Sequence, residues 1–141
     1  MTWEKSCGAL VVRRQRDKYF ILMIRHKVGG HRSFPKGHME AGETEYGTAL
    51  REVMEETSSR IAIVSDFRAT VTYSPSPGVM KEVVYFLAFT TDESIQAREG
   101  EIAEVEWVLL EEAEACLTHE NDKTVFRAAM ERMKRLSFQI K

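Results

Sequence analysis

Apolar residues open the chain in two runs, Cys7 to Val12 and Tyr19 to Ile24, separated by the polar stretch Arg13 to Lys18. That pattern predicts a β-hairpin. Lys27 to Gly42 holds four glycines and a proline and is expected to be mostly loop. The period then changes. Tyr46, Ala49, Leu50, Val53, Met54 and Thr57 recur at i, i+3, i+4, i+7, i+8 and i+11, a continuous stripe down a helix from about Thr44 to Ser58. This face should pack on a sheet. Ile61 to Val64 and Phe67 to Tyr73 read as short strands, and Lys81 to Thr90, rich in Val, Tyr and Phe, as a longer one. The intervening Ser74-Pro75-Ser76-Pro77-Gly78 reads as a loop. Glu104 to Leu109 is expected to be the last strand and Glu111 to Leu117 a short helix. From Asn121 onward Val125, Phe126, Ala129, Met130 and Met133 form a second helical stripe, with Lys123, Arg127, Arg132, Lys134 and Arg135 mostly off it as a solvated face. Strands on both sides of a central helix, closed by a terminal helix, predict an α/β fold: a mixed sheet with helices on both faces.

Length and composition narrow the class. Residues 1–141 suit one domain with its own core, and 43% hydrophobic and 30% charged residues are the profile of a globular chain. Twenty basic residues against 22 acidic give no strong nucleic-acid signal and no attraction to anionic lipid. Cys7 and Cys116 belong to no C-x-x-C pair and read as buried thiols in a reducing compartment. No window reaches the length of a membrane span and the N-terminus has no apolar leader segment, so cytoplasmic residence is expected. Oligomeric state leaves no mark in the sequence.

Opposite the apolar stripe, the central helix carries Glu45, Thr48, Glu52, Glu55, Glu56 and Ser59. Glu52, Glu55 and Glu56 stand at i, i+3 and i+4, close enough on one face for their carboxylates to converge. By spacing alone, a solvated acidic face is the commoner outcome. The alternative is a bound cation. Hard oxygen donors without nearby cysteine or paired histidine select Mg²⁺, Mn²⁺ or Ca²⁺ over zinc or copper, and Mg²⁺ favours substrate phosphates as further ligands.

The flanking residues decide between them. Gly37-His38-Met39-Glu40-Ala41-Gly42-Glu43, then seven residues, then Arg51-Glu52-Val53-Met54-Glu55-Glu56-Thr57-Ser58-Ser59, resembles the Nudix box G-x5-E-x7-R-E-U-x-E-E-x-G-U, where U is bulky and apolar. The resemblance implies an α/β/α sandwich in which the box is a loop, a helix and a loop. It further implies Glu52, Glu55 and Glu56 as ligands of Mg²⁺, with Mn²⁺ able to substitute, and Glu43 with Arg51 as the pair that orients and offsets them. Two positions depart from it. Ser58 stands where the box has glycine, at a position where positive φ is common, at a cost of about 1 kcal/mol. Ser59 stands where the box has an apolar residue, and nearby Ile61 could supply that contact. A distorted helix end near Glu55 and Glu56 is therefore expected.

Phe34-Pro35-Lys36-Gly37-His38-Met39-Glu40 followed by Gly42-Glu43 resembles the form of the box found in asymmetrical diadenosine tetraphosphate hydrolases and in diphosphoinositol polyphosphate hydrolases. Lys36 and His38, in that loop, are expected to hold phosphates. Lys81-Glu82-Val83-Val84-Tyr85 resembles the tetraphosphate hydrolase strand in which a lysine meets phosphate and a tyrosine stacks on adenine. Lys81, Val83 and Tyr85 do share one face of a strand, although Tyr85 as plain core is nearly as good a reading. Tyr73 is a second stacking candidate whose plainer reading is a strand-end aromatic. Glu101 matches the position of an additional metal ligand or general base, with Glu104 as fallback. His26, His31 and His119 have no ligand spacing and receive no task.

The resemblance thus implies in-line attack of water, activated by Mg²⁺, on diadenosine tetraphosphate, giving ATP and AMP. The alternatives are another Nudix substrate (ADP-ribose, a modified nucleoside triphosphate, an inositol pyrophosphate, a capped RNA end) or a nucleotide sensor without catalysis.

Overall fold

A computed structural model describes residues 1–140, without the side chains of residues 65 and 137–140. Ten elements follow in chain order: β1 (Thr2–Gln15), β2 (Lys18–His26), β3 (Arg32–Ser33), β4 (Lys36–His38), α1 (Glu45–Thr57), β5 (Ala62–Ser76), β6 (Val79–Phe89), β7 (Ile102–Leu109), α2 (Leu110–Cys116) and α3 (Glu120–Ile140). The seven strands form one sheet in the order β3-β2-β1-β6-β5, with β4 on β1 and β7 on β2. β1 and β6 run parallel and every other pairing is antiparallel, so the sheet is mixed, as the element pattern predicts.

The expected opening hairpin is present but paired only at its tip, from Val12 opposite Ile21 to Gln15 opposite Lys18. Beyond Val12 the two strands part, and the segment Arg32–His38 enters the fork. β3 bonds β2 at Ile24 and Arg25, β4 bonds β1 at Ser6 to Gly8, and the Ala9 amide donates to the Pro35 carbonyl at 3.2 Å. The segment read as loop therefore contains two short strands. It lies so close to β1 that a Cβ at Gly8 would stand 2.1 Å from the Pro35 oxygen.

Alternate residues of the central strands bury two cores. Leu10, Val12, Val83, Tyr85 and Leu87 pack with Ala113 of α2 and Val125, Phe126 and Ala129 of α3. On the other face Cys7, Ala9, Val11, Val84, Phe86 and Ala88 meet Ala49 and Val53 of α1. Helices on both faces and the stripe of α3 are as expected. Cys7 is buried, but Cys116 is only partly so.

Three expectations change. The two strands read before the proline-rich segment are one strand, β5, whose pairing with β6 shifts register between Val64 and Arg68; that irregularity is what breaks the sequence alternation. β5 also runs on through Ser74, Pro75 and Ser76, because it is an edge strand and prolines there cost no ladder hydrogen bond. Finally, α1 is rotated about its axis. Tyr46, Leu50 and Met54 are 41%, 43% and 37% exposed, while Thr48, Ala49, Glu52, Val53, Glu56 and Thr57 are buried. Burying two glutamates in place of three large apolar residues runs against the hydrophobic effect and needs a compensating set of polar contacts.

Candidate active site

Those contacts come from the fork and from the loop after β6. Thr44 caps α1, its hydroxyl accepting from the Gly47 amide at 3.0 Å. Just before it, Glu43 accepts hydrogen bonds from the Glu40 amide (2.8 Å), the Thr48 hydroxyl (2.9 Å), Arg51 Nε (2.7 Å) and an Arg51 terminal nitrogen (2.9 Å). The Arg51 bonds foremost hold its carboxyl down at about 2. Arg51 then reaches Glu52 at 2.6 Å, Glu55 at 3.2 Å and the His38 carbonyl at 2.9 Å. The planar guanidinium thus ties the loop to two carboxylates of the helix. The sequence-predicted pairing of Glu43 with Arg51 is present.

Glu56, 5% exposed, accepts from the Lys36 amide at 3.0 Å. Burial pushes its carboxyl up to about 7; the Lys36 amide opposes that shift, and the charges of Glu52 and Glu101 add to it. Glu52 lies under β4 so closely that a Cβ at position 37 would meet its carboxyl carbon at 2.0 Å. A side chain at 37 would therefore displace the Glu52 carboxylate, and β4 covers Glu52 on the buried side of α1.

The end of α1 is regular. Ser58 adopts φ 64° and ψ 12°, its amide bonding the Met54 carbonyl at 2.8 Å. It thus takes the left-handed position without glycine, and the expected distortion of the preceding turn is not found. Ser59 is buried, and Ile61 packs into the core beside Val53, supplying the apolar contact that Ser59 cannot. The loop after β6 docks on the exposed carbonyls at the helix end, with Gln96 bonding Thr57 at 2.9 Å and Arg98 bonding Glu56 at 3.1 Å. This brings Arg98 and Glu101 to the helix. Arg98 pairs with Glu55 at 3.4 Å and Glu101 at 3.7 Å.

The result is a groove of about 380 Å³ lined by Glu52, Glu55, Glu56, Glu101, Lys36 and Lys81, with His38 and Glu40 at its edge. Of the sequence-predicted residues, Glu104 is not among its lining; it pairs with Arg25 at 3.6 Å. His38 is exposed and faces Glu4 at 3.6 Å. Among the described residues no three carboxylates stand close enough to form a ready-made cation cluster, so the convergence expected from spacing is incomplete. Glu52 and Glu56 turn inward while Glu55 stays exposed, and Arg51 and Arg98 stand between the charges. The donor set still fits a divalent cation of the hard class: every anionic donor is a carboxylate, and the buried Glu56 is crowded by two others.

A second cavity, about 320 Å³, meets the groove at Lys36, which lines both. Val71, Tyr73, Val83 and Tyr85 form its apolar walls, and His31, Ser33, His119, Glu120, Asn121 and Asp122 its polar ones. Tyr85 is a correction to the sequence reading. At 1% exposure, edge-on to Phe34, it belongs to the core and closes the bottom of the cavity, without a free face for stacking. Tyr73, 36% exposed, is the aromatic with a face to offer. Sequence reasoning missed His31, His119 and Asp122. The His31 ring stacks on His26 at 4.0 Å and approaches His119 at 5.5 Å. No spacing rule could have joined positions so far apart in the chain.

Comparison with known proteins bears on the same residues. Residues 4–129 match the model of the NUDIX domain. The asymmetrical bis(5′-nucleosyl)-tetraphosphatase of Mus musculus is 34% identical over 120 residues, covering 77% of this chain and 81% of that protein. The crystal structure of a C. elegans Ap4A hydrolase binary complex superposes with a TM-score of 0.84 at 26% identity, covering 93% of this chain and 98% of that one. The NUDIX domain of Shewanella oneidensis NrtR, complexed with ADP ribose, shares the fold at TM-score 0.75 and 16% identity over 94% of this chain and 90% of its own.

Proposed function

The chain belongs to the NUDIX family and is a pyrophosphohydrolase, and on that premise we propose that it hydrolyses dinucleoside tetraphosphates asymmetrically, diadenosine tetraphosphate giving ATP and AMP. The observation that carries this reading is the junction at Lys36: an anionic, lysine-bearing groove continuous with a largely apolar cavity that holds Tyr73. A polyphosphate chain suits the first and a nucleoside the second. The relatives named tetraphosphatase and Ap4A hydrolase support the same substrate.

Glu52, Glu55, Glu56 and Glu101 would hold Mg²⁺, or Mn²⁺ in its place. Such a cation supplies neutralisation of phosphate charge and acidification of water. Arg51, fixed by Glu43, keeps the carboxylates oriented in the cation's absence. Lys36 and Lys81 receive phosphate oxygens at the groove, with His38 at its rim. Glu56 and Glu101, carboxylates lining the groove, are the two candidates to take the proton of the attacking water. Residues 1–141 act as a single domain on a small nucleotide substrate. Among the described residues no helix is long and apolar enough to cross a membrane.

A competition assay tests the assignment: diadenosine tetraphosphate, ADP-ribose, 8-oxo-dATP and a diphosphoinositol polyphosphate offered together with Mg²⁺. Preferential loss of the dinucleotide with equal release of ATP and AMP is the expected result. Preferential loss of any other member overturns the substrate, and binding without loss of any overturns catalysis.

A further inference from the structure

Asp122 is a buried carboxylate that no step of the reaction uses. It sits in the first turn of α3, 8% exposed, in the wall of the apolar cavity. Its only hydrogen bond among the described residues is a long one, the Tyr85 hydroxyl donating to Oδ1 at 3.5 Å. Among the described residues no lysine or arginine forms an ion pair with it, although the charges of Lys36 and His119 act on it. A carboxylate accepts at about four lone-pair positions and donates at none. The protein itself uses little of that capacity, and burial pushes the Asp122 carboxyl up. Such a group is satisfied when a ligand brings N–H donors to it.

The cavity restricts what that ligand can be. Val71, Val83 and Tyr73 offer apolar and aromatic surface, so the occupant is flat and apolar on its faces and polar at its edge. Lys36 links the cavity to the phosphate-binding groove, which places a nucleoside here. Resting on the proposed tetraphosphatase function, we infer that Asp122 makes this cavity a guanine pocket, its carboxylate accepting from the N1–H and 2-amino groups of the base. Adenine presents one amino donor beside a ring nitrogen that is itself an acceptor, and that lone pair would face the carboxylate. Hypoxanthine keeps N1–H and lacks the 2-amino group, so it falls between. A site built around buried hydrogen-bond partners rejects the ligand that leaves them unpaired.

The test compares diguanosine, di-inosine and diadenosine tetraphosphates as substrates, and GTP, ITP and ATP as equilibrium-binding probes. The expected order is guanine over hypoxanthine over adenine in both series, spanning roughly ten- to a hundredfold, the range of one or two hydrogen bonds to a charged group. Asp122→Asn preserves shape and the Tyr85 contact while adding a donor for the adenine ring nitrogen, and should bring guanine and adenine near parity. Thermal melting of the variant checks its fold; should it fail to fold, the wild-type order decides alone. Guanine-ordered binding without dinucleotide turnover would keep the pocket and sink the tetraphosphatase reading. Turnover with no base order, an order that Asp122→Asn leaves unchanged, or an equal loss for all three bases, as a ribose contact or mere packing would give, overturns the pocket. So does failure of all three nucleotides to bind.

Discussion

The carboxylate groove and the cavity beside it are built in opposite ways. The groove is a local object: Gly37 to Glu56 supplies most of it, and a network centred on Arg51 and Glu43 fixes it before any ligand arrives. The cavity is assembled from the turn after β2, the β5–β6 edge and the start of α3, and neither Arg51 nor Glu43 lines it. On the proposed reading the groove is equipped for chemistry on a phosphate chain, whatever the chain carries, and the cavity is where a nucleoside is chosen.

This division predicts a graded set of effects. Glu56→Gln keeps the size of the side chain and its bond from the Lys36 amide but removes the charge and the proton acceptor, so kcat should fall by about a thousandfold. Its nucleotide affinity and melting temperature should be near those of the wild type; retained turnover would break the assignment of chemistry to the groove. Tyr73→Ala acts on the other side. Loss of one base-stacking face should raise KM by roughly tenfold and leave kcat close to the wild-type value. A fall in kcat alone would mean that the two regions are not separable.

Smaller effects test the frame that holds them. Ser58 sits at φ 64°, so Ser58→Gly should stabilise the fold by about 1 kcal/mol, read as a higher denaturant midpoint with activity unchanged. A lower midpoint would mean that the serine side chain contributes more than its backbone conformation costs. Near the cavity, burial first, then the charges of His31, Lys36 and His119, hold His26 down at about 4. At His26 the unfolded chain therefore binds more protons than the folded one between pH 6.5 and 4, so this group contributes a loss of stability as pH falls through that window, while Glu56, raised to about 7, contributes the opposite sign between pH 7 and 4.5 and offsets it. Glu45, held at about 2 by Arg68 and then Lys5, adds its own loss below pH 4.5. In His26→Asn the His26 contribution is removed, so the variant should gain stability relative to the wild type as pH falls from 6.5 to 4; a constant difference across that window would contradict the depressed His26.

Sequence reached these two regions unequally, for a physical reason. The ligand candidates on α1 were legible because helical spacing and the Nudix box both depend on neighbours in the chain. The rotation of that helix was not. Tyr46, Leu50 and Met54 extend the apolar stripe, yet β4 lies on Glu52 and the Lys36 amide reaches Glu56, and this tertiary contact outweighs the stripe. Ser58 was correctly read as a left-handed position, but the turn before it absorbs the substitution without distortion. Arg98 reaches the groove only because its loop caps the end of α1. The fork in the sheet, which turns a glycine-rich segment into β3 and β4, has no periodic signature at all, and neither does the meeting of His31, His119 and Asp122.

On the proposed function the groove, once supplied with a divalent cation, cuts the phosphate chain of a dinucleotide unevenly. That cleavage is tested most directly by separating the products of diadenosine tetraphosphate after incubation with the protein across a Mg²⁺ titration that begins in chelator. The expected result is no turnover in chelator and, as Mg²⁺ rises, ATP and AMP in equal amounts with little ADP. Turnover independent of the metal, or ADP as the main product, would contradict it.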